Sequence, residues 1–377
     1  MILPNLDSRE NTVAEIDLAA FRYNVKQIQS LLNRHCILLA VIKTNAYGHG
    51  IKEIAHEAVK AGVERLGVTT VEEGILLRES GITIPIHLLS PINQYDALNV
   101  VTHELIASVS SKNVTKAIHD AAMKQEKIAT VHLKLDTGLH RFGIEPKKAL
   151  DFCAASYFLS NLYWEGIYTH FSNADEGDWV TTEKQNRLFE KTVELLEGEG
   201  YLFPLKHVGA STIAIERVDM CWKMVRPGIA LFGYQPDERQ KKLIDLKPVL
   251  TLKTKIVQLH HLPSHTKIGY GGTYVTKQDE KIAIIPVGHG DGYKRGLSNK
   301  GYVLVRGRFA KIVGTISLDQ TFINVTNVPN VQEDDEVILI GTQGKHTISA
   351  RDIAKWTHSN IDEVLASIMQ RIKRKYI

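Results

Sequence analysis

Over the first two-thirds of the chain, short apolar runs alternate with amphipathic stretches. The runs are rich in Val, Ile and Leu and predict buried strands at 37–43, 65–69, 84–89, 105–109, 130–136, 164–170, 205–209 and 224–232. Between them, helical spacing of apolar positions predicts helices at 51–61, 71–79, 111–124, 146–155 and 182–197. Alternating β and α elements imply a parallel sheet. Eight such units in roughly 220 residues predict an α/β fold closed as a (β/α)8 TIM-like barrel, whose usual length is ~250 residues. The competing architecture is an open doubly wound sheet, which places a GxGxxG turn after its first strand. Here the first strand runs into Lys43-Thr44-Asn45-Ala46-Tyr47-Gly48-His49-Gly50, which is not that turn. Near Lys247 the pattern changes to period two, at 251–258, 281–286, 302–305 and 336–340. This predicts a mostly β C-terminal domain, closed by helices near 350–356 and 361–372. The expected domains are a barrel over 14–240 and a β-rich domain over 241–377, with segment 1–13 packing against the latter.

Barrel enzymes place their chemistry at the carboxyl ends of the strands, and the loops after strands seven and eight commonly hold a phosphate. In this chain those ends carry Lys43, Lys134 with Arg141 in the loop beyond, His170, Gly209-Ala210-Ser211, and Arg226-Pro227-Gly228-Ile229. A lysine closing an apolar strand is costly unless paired or functional. Partly desolvated, it can condense with a carbonyl compound. A phosphate plus an aldehyde describes pyridoxal phosphate. Any one of these residues alone reads more readily as a rim ion pair, and it is their convergence that favours the cofactor.

Composition narrows the picture. Among 377 residues, 44% are hydrophobic and 23% charged, which excludes disordered and fibrous classes. With 46 basic and 42 acidic residues the net charge is +4, so nothing calls for a polyanionic partner. The basic run Arg371, Lys373, Arg374, Lys375 reads as the solvated last turn of a helix. Cys36, Cys153 and Cys221 have neither disulfide nor metal spacing, which suits a reducing cytoplasm. His260, His261 and His265 lack the companions of a metal site, and no metal is expected. The opening residues lack the apolar core of a signal peptide, and no apolar run is long enough to cross a bilayer.

At these positions the chain resembles the alanine racemase family, enzymes of fold type III that use pyridoxal 5'-phosphate. The resemblance runs from about Ala14 to Arg374. Its most specific segment is 40–50 (AVIKTNAYGHG), followed by 131–143 (VHLKLDTGLHRFG), 166–171 (GIYTHF), 225–233 (VRPGIALFG), 267–274 (KIGYGGTY), 286–293 (PVGHGDGY) and 314–321 (GTISLDQT). It implies that Lys43 carries the cofactor and serves as one catalytic base, with Tyr270 as the other. By the same resemblance, Arg226 bonds the pyridine nitrogen, and His170 links Arg226 to Tyr270. Tyr47, Ser211, Gly228 and Ile229 hold the phosphate. Arg141 meets the phenolic oxygen and the substrate carboxylate, which the backbone of Leu318, beside Asp319, also touches. Lys134 matches a lysine that is frequently carbamylated. A cytoplasmic homodimer with shared active sites is implied, with no nucleic-acid or membrane partner.

The chain departs from the family pattern at five places. Ala210 stands for asparagine, His289 and Asp362 for tyrosines at the mouth of the site, Ser317-Leu318 for Cys-Met, and His140 for glycine. Losing bulk at 362 widens the mouth and admits serine or a larger or basic amino acid as alternative substrates. Two further readings compete: an amino-acid decarboxylase, which needs a cysteine in the β domain, and a non-catalytic cofactor carrier, which needs only the barrel. All three cysteines precede residue 222 and a full second domain is present, so both are disfavoured.

Overall fold

The computed structural model describes residues 11–377, which divide into two compact units. One comprises residues 20–46 and 50–247. The other comprises residues 11–19, Tyr47–His49 and Pro248–Ile377. Residues 1–10 of the segment expected to pack with the β-rich domain lie outside the described residues. Of the rest, the Thr12 hydroxyl bonds Thr254 Oγ1 at 2.8 Å and donates to Pro286 O at 3.0 Å. A first strand, β1 (Val13–Ile16), follows at once.

The first unit is the barrel. Its strands are β2 (Ile37–Val41), β3 (Arg65–Val68), β4 (Ile86–Leu88), β5 (Ile106–Val109), β6 (Ala129–Lys134), β7 (Leu162–Tyr168), β8 (Leu205–His207) and β9 (Met224–Val225). All ladders are parallel and run β8-β7-β6-β5-β4-β3-β2-β9. The ring is nearly closed between β8 and β9, where Lys223 N bonds Lys206 O at 3.1 Å and Arg226 N bonds Gly209 O at 2.9 Å. Helices Ile51–Lys60, Val71–Glu79, Lys112–Lys124, Ala149–Ser156 and Trp179–Gly198 occupy the predicted crossovers. The barrel interior departs from the usual layers of branched apolar residues. His87, His132, Lys134, His207 and Arg226 are all buried within it.

The second unit holds β10 (Leu250–Lys255), β11 (Gln258–Leu262), β12 (Lys267–Ile268), β13 (Tyr274–Val275), β14 (Glu280–Ile285), β15 (Tyr302–Val305), β16 (Arg308–Val313), β17 (Thr321–Asn324), β18 (Glu336–Gln343), β19 (His346–Ile348) and β20 (Lys373–Tyr376). One sheet runs β11-β14-β17-β16-β15-β18-β10-β1-β20, with β19 on β18.

Two expectations need correction. The basic run 371–375 is not a helical turn. The predicted helix 361–372 stops at Ala366, and Lys373–Tyr376 forms an edge strand parallel to β1. Arg374 donates to the carbonyls of Met369, Ile372 and Ile368 at 2.6 Å, satisfying the backbone where the helix has ended. Lysines on an exposed edge discourage further pairing. The eighth barrel strand is also shorter than predicted. Pro227 has no N–H to continue a ladder, and Ile229–Phe232 forms a 3-10 turn.

Candidate active site

The first barrel strand ends in an unusual turn. Thr44, Asn45 and Ala46 have φ,ψ near +55°,+55°, +53°,+45° and +52°,+53°, and Tyr47 has φ +52°. This is a run of consecutive residues in the left-handed region, which costs ~1–2 kcal/mol per residue without a glycine. Local bonds hold it. Asn45 N donates to Glu73 Oε1 at 3.2 Å, while the other oxygen of Glu73 accepts from Thr69 N at 3.0 Å. The Asn45 side chain accepts from Ile51 N at 2.9 Å, fixing the start of the next helix. Gly48 follows with φ +84°, and a Cβ there would lie 2.3 Å from Leu365 O. Strain maintained by its surroundings is a feature of functional sites. Here it sets the position of Lys43, which is half-buried at the start of the turn.

Positive charge gathers around His170, two residues past the end of β7. Burial, then Arg226, Arg141, Lys134 and Lys43, hold its imidazole well below its ordinary pKa. Arg226 is buried and holds its guanidinium with several acceptors. It donates to His207 Nδ1 at 2.7 Å, Thr169 O at 2.9 Å, Val208 O at 3.1 Å and His170 Nδ1 at 3.2 Å. Burial pushes its pKa down to about 10, so it remains a cation at neutral pH. Lys134 is 2% exposed, between the rings of Phe142 and Tyr168 at 5.3 Å from each, and donates to Leu135 O at 2.6 Å. Burial, then Arg226, pushes its pKa down to about 7.

Beside these groups, the Ser211 hydroxyl accepts from Gly228 N at 3.1 Å and Ala230 N at 3.4 Å, tying together the loops after β8 and β9. A small cleft lies nearby, lined by His170, Ala210, Thr212 and Asp175 among others. His140, which stands where the resemblance implies glycine, has φ +56°. Asp136 holds it there, accepting from His140 N at 3.0 Å and bonding its Nδ1 at 3.2 Å.

The structure thus brings Lys43, Lys134, Arg141, His170, Ser211, Arg226, Gly228 and Ile229 onto the barrel unit. Tyr47 follows directly in the chain, at the end of the left-handed turn. Tyr270, Leu318 and Asp319 belong to the β unit. Tyr270 is 75% exposed in a turn of three glycines with positive φ, and Leu318 is 59% exposed.

Sequence reading did not anticipate the polar chain behind Arg226. His207 Nε2 bonds His132 Nδ1 at 2.9 Å, and His132 Nε2 bonds Glu165 Oε2 at 2.9 Å. Glu165 accepts two bonds from Arg65, at 2.6 and 2.8 Å. The one signal available was the interruption of apolar strands by His87, His132, Glu165 and His207. His87, His132 and Glu165 place ligand atoms within 4.8 Å of one another, as a metal site would. Arg65 Nη1, however, bonds both His87 Nε2 and Glu165, so a guanidinium already takes the place of a cation there.

Fold and site together define a barrel enzyme with a lysine closing its first strand and a buried arginine at the base of a cationic mouth. The family profile described as alanine racemase, N-terminal domain, matches residues 16–236, and that of the C-terminal domain matches 249–376. An alanine racemase of Halothermothrix orenii is 42% identical over 367 residues, covering 97% of this chain and 96% of that one. A solved alanine racemase of Clostridium difficile 630 superposes with TM-score 0.92 at 33% identity, covering 97% and 96% of the two chains. A histidine racemase of Leuconostoc mesenteroides superposes with TM-score 0.87 at 28% identity, covering 98% and 99%. The chain belongs to the alanine racemase family.

Proposed function

We propose that this chain interconverts L- and D-alanine with pyridoxal 5'-phosphate by a two-base reaction. The carrying observation is the pairing of Lys43, on its left-handed turn, with the buried cation Arg226 in one barrel of this family. The donor set fits the cofactor. It offers an amine for an aldehyde, a guanidinium fixed by several acceptors, and a hydroxyl with backbone N–H groups at the loops after β8 and β9. Bound, the cofactor withdraws electrons from the substrate and acidifies its Cα proton.

The chain's own residues do the rest. Lys43 holds the cofactor and moves a proton at one face of Cα, and the Tyr270 phenol does so at the other. Arg226 donates to the ring nitrogen without surrendering its proton. Tyr47, Ser211, Gly228 and Ile229 bind the phosphate, and His170 links Arg226 towards Tyr270. Arg141, with the backbone of Leu318 beside Asp319, orients the substrate carboxylate. We assign the cofactor to the domain 14–240 and Tyr270 to the domain 241–377 of a homodimer that shares its sites, in the cytoplasm. No helix among the described residues is long and apolar enough to cross a membrane.

Chiral chromatography of L-alanine incubated with the holoenzyme tests the reading, and D-alanine is the expected product. The second reading, a racemase for another amino acid, is favoured by the histidine racemase relative and by His289 and Asp362. Serine, histidine, lysine or ornithine turned over with kcat/KM ~10-fold above alanine would replace the substrate assignment.

Lys134 is expected to carry a carbamate. An amine with pKa about 7 is substantially neutral at physiological pH and can attack CO2, releasing a proton. The resulting anion then faces Arg226 and Arg141 in place of a third cation. In 13C-bicarbonate, the holoenzyme should show a protein-bound carbamate resonance whose occupancy rises as pH passes 7. Lys134→Arg should lose it. A resonance surviving in that variant places the modification elsewhere.

A further inference from the structure

The direction of the buried chain is fixed by its ends. Arginine can only donate, so His207 Nδ1, 2.7 Å from Arg226 Nη1, must accept. A neutral His207 then carries its proton on Nε2 and donates to His132 Nδ1 at 2.9 Å. His132 in turn carries its proton on Nε2 and donates to Glu165 Oε2 at 2.9 Å. No other arrangement of two neutral rings satisfies every bond. We propose that Glu165 is a positioning residue that locks His132 and His207 in the Nε2–H tautomer, so that His207 always presents a lone pair to Arg226. The guanidinium is thereby held in one orientation at the base of the site. The proposal rests on the racemase reading above, in which Arg226 meets the cofactor ring.

Three further observations agree. Burial first, then Arg226 for His207, holds both imidazoles below their ordinary pKa, which keeps them neutral. Burial alone would raise Glu165, but its bonds to His132 and Arg65 outweigh that and hold it well below the carboxylate range, so it stays an acceptor. The backbone also makes room for this geometry. A Cβ at Gly166 would lie 2.4 Å from His132 Cε1 and 2.5 Å from its Nδ1, and β6 shifts register against β7 between Val131 and His132. The ring occupies space that only glycine leaves.

The test is side-chain 15N NMR of the histidine-labelled holoenzyme, with steady-state kinetics on the same samples. His132 and His207 are expected as neutral Nε2–H rings in the wild type. Glu165→Gln keeps an acceptor for His132 and is expected to retain the tautomers and kcat within about threefold. Removing Glu165 alone strands the partly buried Arg65, so the informative variant is the double replacement Arg65→Met, Glu165→Leu. Exchanging a buried ion pair for apolar residues is often tolerated. In that variant His132, without its acceptor, can carry its proton on Nδ1 and donate to His207 Nε2 in competition with Arg226, so the His207 resonances are expected to move to a tautomer mixture. Its kcat should fall ~10–100-fold, the range for lost outer hydrogen-bond partners, while KM changes less than about threefold. A wild-type His207 that is charged or protonated on Nδ1 overturns the proposal. So does a folded double variant with unchanged His207 resonances and kcat. A wild type that forms no D-alanine overturns the racemase reading itself, and with it the role assigned to Arg226.

Discussion

Lys43→Ala is expected to abolish racemisation, lowering kcat by about 10³-fold or more, while leaving the chain folded. The separation follows from where the lysine sits. Its backbone precedes the left-handed turn, and the bonds that hold the turn involve Asn45, Glu73, Thr69 and the Ile42 carbonyl, which accepts from Ala46 N at 2.9 Å. None of these uses the Lys43 side chain. Alanine at 43 therefore removes the amine and leaves those bonds in place. Borohydride reduction of wild-type holoenzyme should leave a pyridoxyl label on residue 43, read by peptide mass, and Lys43→Ala should carry none. A label at another lysine would remove the basis of the mechanism. Retained turnover in Lys43→Ala would show instead that one base suffices.

The barrel was legible in the sequence because buried parallel strands read as unbroken apolar runs, and each predicted run overlaps an observed strand. Two kinds of feature escaped. One is local backbone geometry. Nothing in Thr44-Asn45-Ala46-Tyr47 signals a left-handed turn, since only Asn among them tolerates that region readily. The conformation depends on Glu73, a residue 28 positions from Asn45 in sequence. The other is pairing that emerges only when strands are aligned. Arg65 and Glu165 are 100 residues apart, and His132 and His207 are 75 apart. The helix expected at 361–372 failed for a related reason. Lys373–Tyr376 finds β1 as a partner, and β1 is too short to be seen by its pattern. Candidate residues at strand ends were easier, because barrel topology itself assigns them a location. Tyr270, on the other unit, was accessible only through resemblance.

Chains carrying Lys43→Ala and Tyr270→Phe should each be inactive alone and recover activity when mixed. Tyr270 is 75% exposed on a turn of glycines. Removing one hydroxyl from an exposed residue should not disturb folding, so the defect is chemical. If each site takes its lysine from one chain and its tyrosine from the partner, a two-fold dimer of the two variants contains one site with both defects and one with neither. Random reassortment at equal concentrations makes half the dimers mixed, each with one working site, which predicts recovery to about a quarter of wild-type activity. Sites built within single chains predict no recovery at any mixing ratio. Refolding or slow subunit exchange followed by the D-alanine assay distinguishes the two. Size-exclusion chromatography of the mixture establishes that dimers are present when the activity is read. Recovery near a quarter would fix the proton donor on the opposite face as a residue of the neighbouring subunit, and none would return it to the same chain.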